Sequence, residues 1–272
     1  MLKRIARQIV PAPLWQRLRR RQQRKHVRTF RRRTVEHTYA GVPLRVQIAD
    51  EMSAGWYDND WPSHTTIDFL DERGVLADAT VFDCGAHQGV VALVLAARCG
   101  PGGQVIAVEA TAHNVEVARQ NLSLNPQIKA GVEVVQAAVS ASDGHVMFDD
   151  LLNGQISRGG GVRVDAISLP TMVERYGLPG LILLDIEGAE ASVLGSATSL
   201  IHGERRAAWC IEVHGGHGLE AMGGTAAGVI DCFPRDLYDL HWTPEDHGAP
   251  CRPLPEGDAP PAGRFHLVAL PL

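Results

Sequence analysis

Apolar positions in this chain fall into short solid runs separated by stretches with helical spacing. Residues 81–82, 105–108, 181–184 and 207–211 are almost wholly apolar, as strands are when both faces of a parallel sheet are covered. Residues 90–98 and 114–124 instead place Val90, Val91, Leu93, Val94 and Leu95, then Val115, Val117, Ala118 and Leu122, along helix faces, the second stopped at Pro126. This alternation predicts an α/β, doubly wound, mostly parallel sheet. A third strand is expected over 132–139, a short one over 145–148, and helices over 64–73, 191–201 and 229–237. Residues 238–242 and 264–270 read as late strands joined by a Pro/Gly-rich loop (246–263) with no helix between them. That predicts an antiparallel pair at one sheet edge. Residues 38–48 read as a hairpin turning near Gly41-Val42-Pro43, and 153–161 as a mobile glycine-rich loop.

Charged residues collect where these strands end. The first solid run leads into Asp83-Cys84-Gly85-Ala86-His87-Gln88-Gly89, a tight turn before a helix, and the second ends in Glu109, 20 residues after Gly89. A strand, a glycine turn and a helix bring main-chain amides up to a ligand, and an acid at that distance suits ribose hydroxyls. The turn lacks the G-x-G-x-x-G spacing of dinucleotide sites, because His87 stands where the second glycine is needed. S-adenosylmethionine has no phosphate to accommodate: Asp83 suits its ammonium and the turn amides its carboxylate. Ala138, small and at a strand end, is placed to lie against adenine. A methyl donor is therefore favoured over a nicotinamide, and an NAD(P)-dependent oxidoreductase is the alternative.

The later runs repeat the theme. Residues 181–184 emerge into Asp185-Ile186-Glu187-Gly188-Ala189-Glu190, and 207–211 into Glu212-Val213-His214. Ligands of doubly wound sheets lie beyond the carboxyl ends of the strands, so these groups are expected to converge. His214 is the first candidate for a general base, with Glu187 and Asp185 as alternatives; Asp185 is also placed against the donor. Glu190 reads as a charge complementing a helix dipole. Asp185, Glu187, Glu212 and His214 together would also suit a divalent cation, but they form no tight ligand motif and no metal is expected. His113, His217 and His241 read as surface or loop histidines.

Composition changes this picture in one respect. The chain has 272 residues and a net charge of −5, yet residues 1–33 hold 13 of its 26 lysines and arginines and no acid. The remainder is strongly acidic, which argues against a nucleic-acid substrate. Leu2, Ile5, Ile9, Leu14, Trp15 and Leu18 recur among the arginines at roughly helical spacing, broken by Pro11 and Pro13. The expected organisation is a basic arm (1–33) suited to an anionic membrane surface or acidic partner, a lead-in segment (34–78), and the main domain (79–272). In the lead-in, Trp56, Tyr57 and Trp61 either cover the donor or seal the bottom of the sheet. The five scattered cysteines, with no secretory leader and no long apolar run, point to a reducing cytoplasm.

The segments 81–125, 183–197 and 210–214 resemble the FkbM family of S-adenosylmethionine-dependent methyltransferases, the Asp185-Ile186-Glu187-Gly188-Ala189-Glu190 piece most distinctively. The resemblance implies a class I methyltransferase (Rossmann-like) fold, S-adenosylmethionine as cofactor, and O-methylation, often of sugar or polyketide hydroxyls. The chain departs from the family pattern at His87 (usually Asn), Ala110 (usually Pro), Leu183 (commonly Lys) and residues 168–170 (where an aspartate is usual). A fold that retains the donor without turnover is the non-enzymatic alternative.

Overall fold

A computed structural model describes residues 12–150, 153–157, 161–245 and 248–272. In chain order the elements begin with helix α1 (Ala12–Thr29), hairpin β1 (Arg33–Tyr39) and β2 (Val42–Ile48), and helices α2 (Glu51–Tyr57) and α3 (Thr65–Asp71). The core follows as β3 (Thr80–Cys84), α4 (Val90–Cys99), β4 (Gln104–Glu109), α5 (Ala112–Leu124) and β5 (Gly131–Gln136). Strands β6 (Ala138–Val139), β7 (Gly144–Asp149), β8 (Gln155–Ile156) and β9 (Val162–Ile167) form a small second sheet, and α6 (Leu169–Tyr176) leads back to β10 (Leu181–Leu184). Then come α7 (Glu190–Ser196), α8 (Thr198–His202), β11 (Ala208–His214), α9 (Ala226–Asp231), β12 (Tyr238–Pro244), β13 (Arg252–Pro253) and β14 (Arg264–Pro271).

The large sheet has the order β13-β12-β14-β11-β10-β3-β4-β5. Strands β11, β10, β3, β4 and β5 run parallel, and β14 pairs antiparallel with both β11 and β12. This is the class I methyltransferase arrangement. The reversed strand β14 lies inside the sheet, with β12 and β13 beyond it. The solid apolar runs are explained by two cores, one on each face. Phe82, Ile106, Ile182, Leu184 and Trp209 pack under α6–α9, while Val81, Val105, Ala107 and Leu181 pack under α4, α3 and the hairpin. Truncating a fully buried residue such as Phe82 to alanine would cost roughly 3–5 kcal/mol.

Several expected boundaries shift for identifiable reasons. The hairpin turns at Ala40-Gly41, both at positive φ, so Val42 and Pro43 already belong to β2 and the first strand reaches back to Arg33. The strand expected over 132–139 divides near Ala137, because its end leaves the large sheet to pair with β9. The helix expected over 191–201 starts at Glu190 and divides at Ala197, and that expected over 229–237 is displaced to Ala226–Asp231. Part of the loop expected to be mobile forms β8, while residues 158–160 lie outside the described residues.

Of the basic arm, residues 1–11 lie outside the described residues. Pro13 sits in the first turn of α1, where its missing N–H costs nothing, so the helix is unbroken from Ala12. Arg20 pairs with Asp149 at 3.1 Å and Arg32 with Glu116 at 2.7 Å. The later half of the arm thus lies along the acidic body, through pairs worth at most about 1 kcal/mol each. Among the described residues no helix is long and apolar enough to cross a membrane.

Candidate active site

The carboxyl ends of β3, β4, β10 and β11 open into one cavity of about 650 Å³. Asp83, Gly85, His87, Glu109, Ala138, Asp185 and Glu187 all line it. Gly89 and His214 do not. Gly89 stands behind the wall as the left-handed residue before α4, and His214 lies beneath the carboxylates of the cavity floor.

The turn after β3 is tied to the turn after β4 through Glu109. One carboxylate oxygen accepts the main-chain N–H of His87 at 3.0 Å and the other that of Thr111 at 2.7 Å. Burial raises the Glu109 pKa against these amides. Asp83 is 1% exposed, and its Oδ2 is buried with no hydrogen-bond partner. Burial, with the Glu109 carboxylate nearby, pushes Asp83 up to about 7. An orphaned carboxylate oxygen on a cavity wall is a costly feature unless a donor comes to meet it. Ala137 and Ala138 also line the cavity with small side chains.

The lead-in segment covers this wall, so the structure selects the covering role for its aromatics over the sealing one. Trp56, Tyr57 and Trp61 line the cavity. Tyr57 Oη lies 2.8 Å from His87 Nδ1, and the Trp56 and His87 rings stand 5.1 Å apart between centroids. His87 adopts a positive φ of 47°, held there by these partners. The segment is anchored by Asp50, which is 1% exposed and caps α2 in a reciprocal capping box with Ser53. Its second oxygen accepts from Gln88 Nε2 at 2.7 Å and faces His113 Nε2 at 2.9 Å. Thus Gln88, from the donor turn, and His113, from α5, converge on the lead-in. His113 is not the surface residue expected. Nor is His241, which is 7% exposed and packs on Phe69.

At the other end of the cavity the acids converge as expected, around His214. His214 Nε2 lies 3.6 Å from Asp185 Oδ1, 3.5 Å from Glu187 Oε2 and 3.6 Å from Glu212 Oε1. Its Nδ1 faces Glu190 Oε1 at 2.8 Å, and both side chains are fully buried. Glu190 also accepts the N–H of Gly188 at 2.8 Å. It therefore positions His214 and the turn, beyond complementing a helix dipole. Burial alone would lower the His214 pKa; the neighbouring Glu187 and Glu190 carboxylates and the Asp185 charge instead raise it to about 11. Burial and the Glu212 charge hold Asp185 well above the usual carboxylate range. Glu187, at a positive φ of 55°, also receives Asn153 Nδ2.

The family model for the methyltransferase FkbM domain matches residues 83–239, more than half of the chain. The chain belongs to the FkbM methyltransferase family. The matched FkbM segment runs from Asp83 past the floor acids Asp185, Glu187 and Glu212, and the cofactor of this class is S-adenosylmethionine. The residues present fit that group, because Asp83 offers an unpartnered carboxylate oxygen and Glu109 a fixed carboxylate on the same wall. A methyltransferase FkbM from Methylobacillus flagellatus KT is similar in structure, with 16% identity and a TM-score of 0.48, covering 71% of this chain and 44% of that one. A SAM-dependent O-methyltransferase from Thermotoga maritima has 10% identity and a TM-score of 0.43, covering 87% of this chain and 77% of that one. A putative rRNA methylase from Clostridium thermocellum has 8% identity and a TM-score of 0.46, covering 76% and 98%. This chain thus spans less than half of the first of these proteins. No curated protein matches it.

Sequence reasoning missed two residues of the floor. Arg264 and His266 on β14 line the cavity beside Glu212, at 3.7 and 3.6 Å. Their alternation along one strand was visible, but the face they share is set only by pairing with β11.

Proposed function

We propose that this FkbM methyltransferase methylates a hydroxyl oxygen of a small polar molecule, such as a sugar, a glycoconjugate or a polyketide-type natural product. The observation that carries this reading is a cavity with an apolar, aromatic wall (Trp56, Trp61, Phe148) facing a floor of carboxylates (Asp185, Glu187, Glu212). Aromatic faces pack on apolar ring surfaces, and carboxylates accept the bonds that hydroxyls donate. The same acids would repel a phosphate backbone.

S-adenosylmethionine, when bound, supplies an already activated methyl group. The protein has to align the acceptor oxygen and take its proton. In this reading Asp83 and Glu109 hold the donor, and Asp185 and Glu187 orient the hydroxyl. Glu187 accepts the proton as the oxygen forms its bond to the methyl carbon. The bound donor would supply the methyl carbon and keep the carbon–sulfur electron pair on its sulfur. His214, the first expectation for the base, is fully buried and does not line the cavity, so it stands out of reach of the acceptor.

The test is a turnover screen with methyl-labelled S-adenosylmethionine over monosaccharides, glycosides, hydroxylated polyketides, transfer RNA and ribosomal RNA fragments. S-adenosylhomocysteine release with a new methoxy resonance in one of the small acceptors supports the reading. Label appearing only in RNA, or only on nitrogen, would replace it.

A further inference from the structure

Beneath the acceptor end of the cavity, His214 Nε2 points into a gap among carboxylates. It is buried, with no hydrogen-bond partner. Asp185 Oδ1, Glu187 Oε2 and Glu212 Oε1 stand 3.5–3.6 Å from it, beyond the 2.7–3.2 Å of an ordinary N–H···O bond. One ligand atom each from Asp185, Glu212 and His214 lies within 4.8 Å of the others. Donors placed about 2.1 Å from a shared ion stand about 3.0–3.5 Å apart when adjacent and about 4.2 Å apart when opposite, so Asp185 and Glu212 each stand close to coordination spacing from Nε2.

The other face of the imidazole is already arranged for this role. A metal-bound histidine characteristically gives its second N–H to a carboxylate, which fixes the tautomer and aims the free nitrogen at the ion. Glu190 is that carboxylate: it is fully buried, 2.8 Å from Nδ1, and tied to the Gly188 amide.

We infer that Asp185, Glu212 and His214 form a divalent-cation site at the acceptor end of the cavity, with Glu187 at its rim. Spacing along the chain predicted no metal, because the ligands come from two strand ends that only the sheet brings together. Carboxylates without a thiolate suit Mn²⁺ or Mg²⁺, and the one imidazole favours the softer Mn²⁺ of the two. Arg264 and His266 also face Glu212, but Arg264 is shared with Glu245. With Asp185, Glu187 and Glu190 close by, the gap keeps an excess of negative charge. The ion would complete its shell with an acceptor hydroxyl and lower that hydroxyl's pKa, a role that rests on the O-methylation reading; binding of the ion does not.

The test is a Mn²⁺ titration of the metal-stripped full chain, followed by calorimetry and by the paramagnetic resonance signal of the free ion. One ion per chain is expected. Affinity should fall at least about tenfold in Glu212→Gln, and about 10–100-fold in Glu190→Gln, which touches the histidine and the Gly188 amide but not the ion. Pulsed resonance of the wild-type complex should show modulation by a histidine nitrogen, a readout that no misfolded variant confuses. Wild-type protein that binds S-adenosylhomocysteine yet takes up neither Mn²⁺ nor Mg²⁺ would overturn the site. So would binding without nitrogen modulation, or with unchanged affinity in folded Glu212→Gln. Loss of S-adenosylhomocysteine binding alone would strike the donor site and leave this result standing.

Discussion

A side chain at Gly85 would stand 1.7 Å from the carbonyl oxygen of Asp185. The turn that follows β3 and the turn that follows β10 therefore meet main chain to main chain, and two sides of the cavity are built on one contact. Asp185 N–H reinforces it by donating to Cys84 at 2.9 Å.

Gly85→Ala should accordingly cost about 2 kcal/mol or more, since it adds both a clash and a positive φ of 94°. It should also weaken S-adenosylhomocysteine binding. Gly195→Ala is the contrasting case. That glycine lies in α7 with nothing within 4 Å of an added Cβ, so the change should stabilise by about 0.5–1 kcal/mol. Thermal melts of both variants, with a calorimetric titration of the first, check the pair.

Donor binding should depend on pH through Asp83. With a pKa near 7, this carboxyl is largely neutral at pH 6 and largely ionised at pH 8. Only the ionised form attracts an ammonium. Affinity for S-adenosylhomocysteine should rise about tenfold across that range and flatten in Asp83→Asn. An unchanged pH profile in the variant would remove Asp83 from the donor site. Glu109→Ala should weaken binding at every pH, since it frees the His87 and Thr111 amides.

Glu187→Gln should separate binding from chemistry. Loss of the proton acceptor should lower kcat by roughly 10²–10⁴-fold, with donor affinity changed less than about threefold. Single-turnover rates beside calorimetric affinities would show the split. Equal loss of both would make Glu187 a donor ligand instead.

Acid stability should report on Asp50. Burial works to raise its pKa, but the bonds from His113, Ser53 and Gln88 hold it down at about 2, from 3.8. A depressed carboxylate pKa contributes stability that is complete above the unfolded value and is lost as pH falls through the folded one. The contribution is about 2 kcal/mol above pH 4, disappearing towards pH 2. Asp50→Asn should be less stable at pH 7 by a similar amount and should lose less on acidification. Denaturant titrations at pH 7, 4 and 3 would measure it.

By itself the sequence determined the sheet, the donor turn and the family. Solid apolar runs mark strands covered on both faces. A glycine turn followed at a set distance by Glu109 marks a nucleoside site, because those constraints act within one strand–turn–helix unit and leave a local pattern. The convergence of Asp185, Glu187, Glu212 and His214 was also legible, since parallel strands deliver their carboxyl ends to one side.

Only the tertiary structure decided what each of these groups meets. The same histidine can be an exposed base or an enclosed partner of a buried carboxylate, and Glu190, arriving from the helix after β10, makes His214 the latter. Trp56 and Trp61 could cover either end of the sheet until the Asp50 anchor to Gln88 and His113 placed them over the donor turn. Arg264 and His266 enter the floor through the antiparallel register of β14 on β11. Such contacts join residues 24 to 63 positions apart, and neither periodicity nor spacing carries information about which distant surfaces will pack.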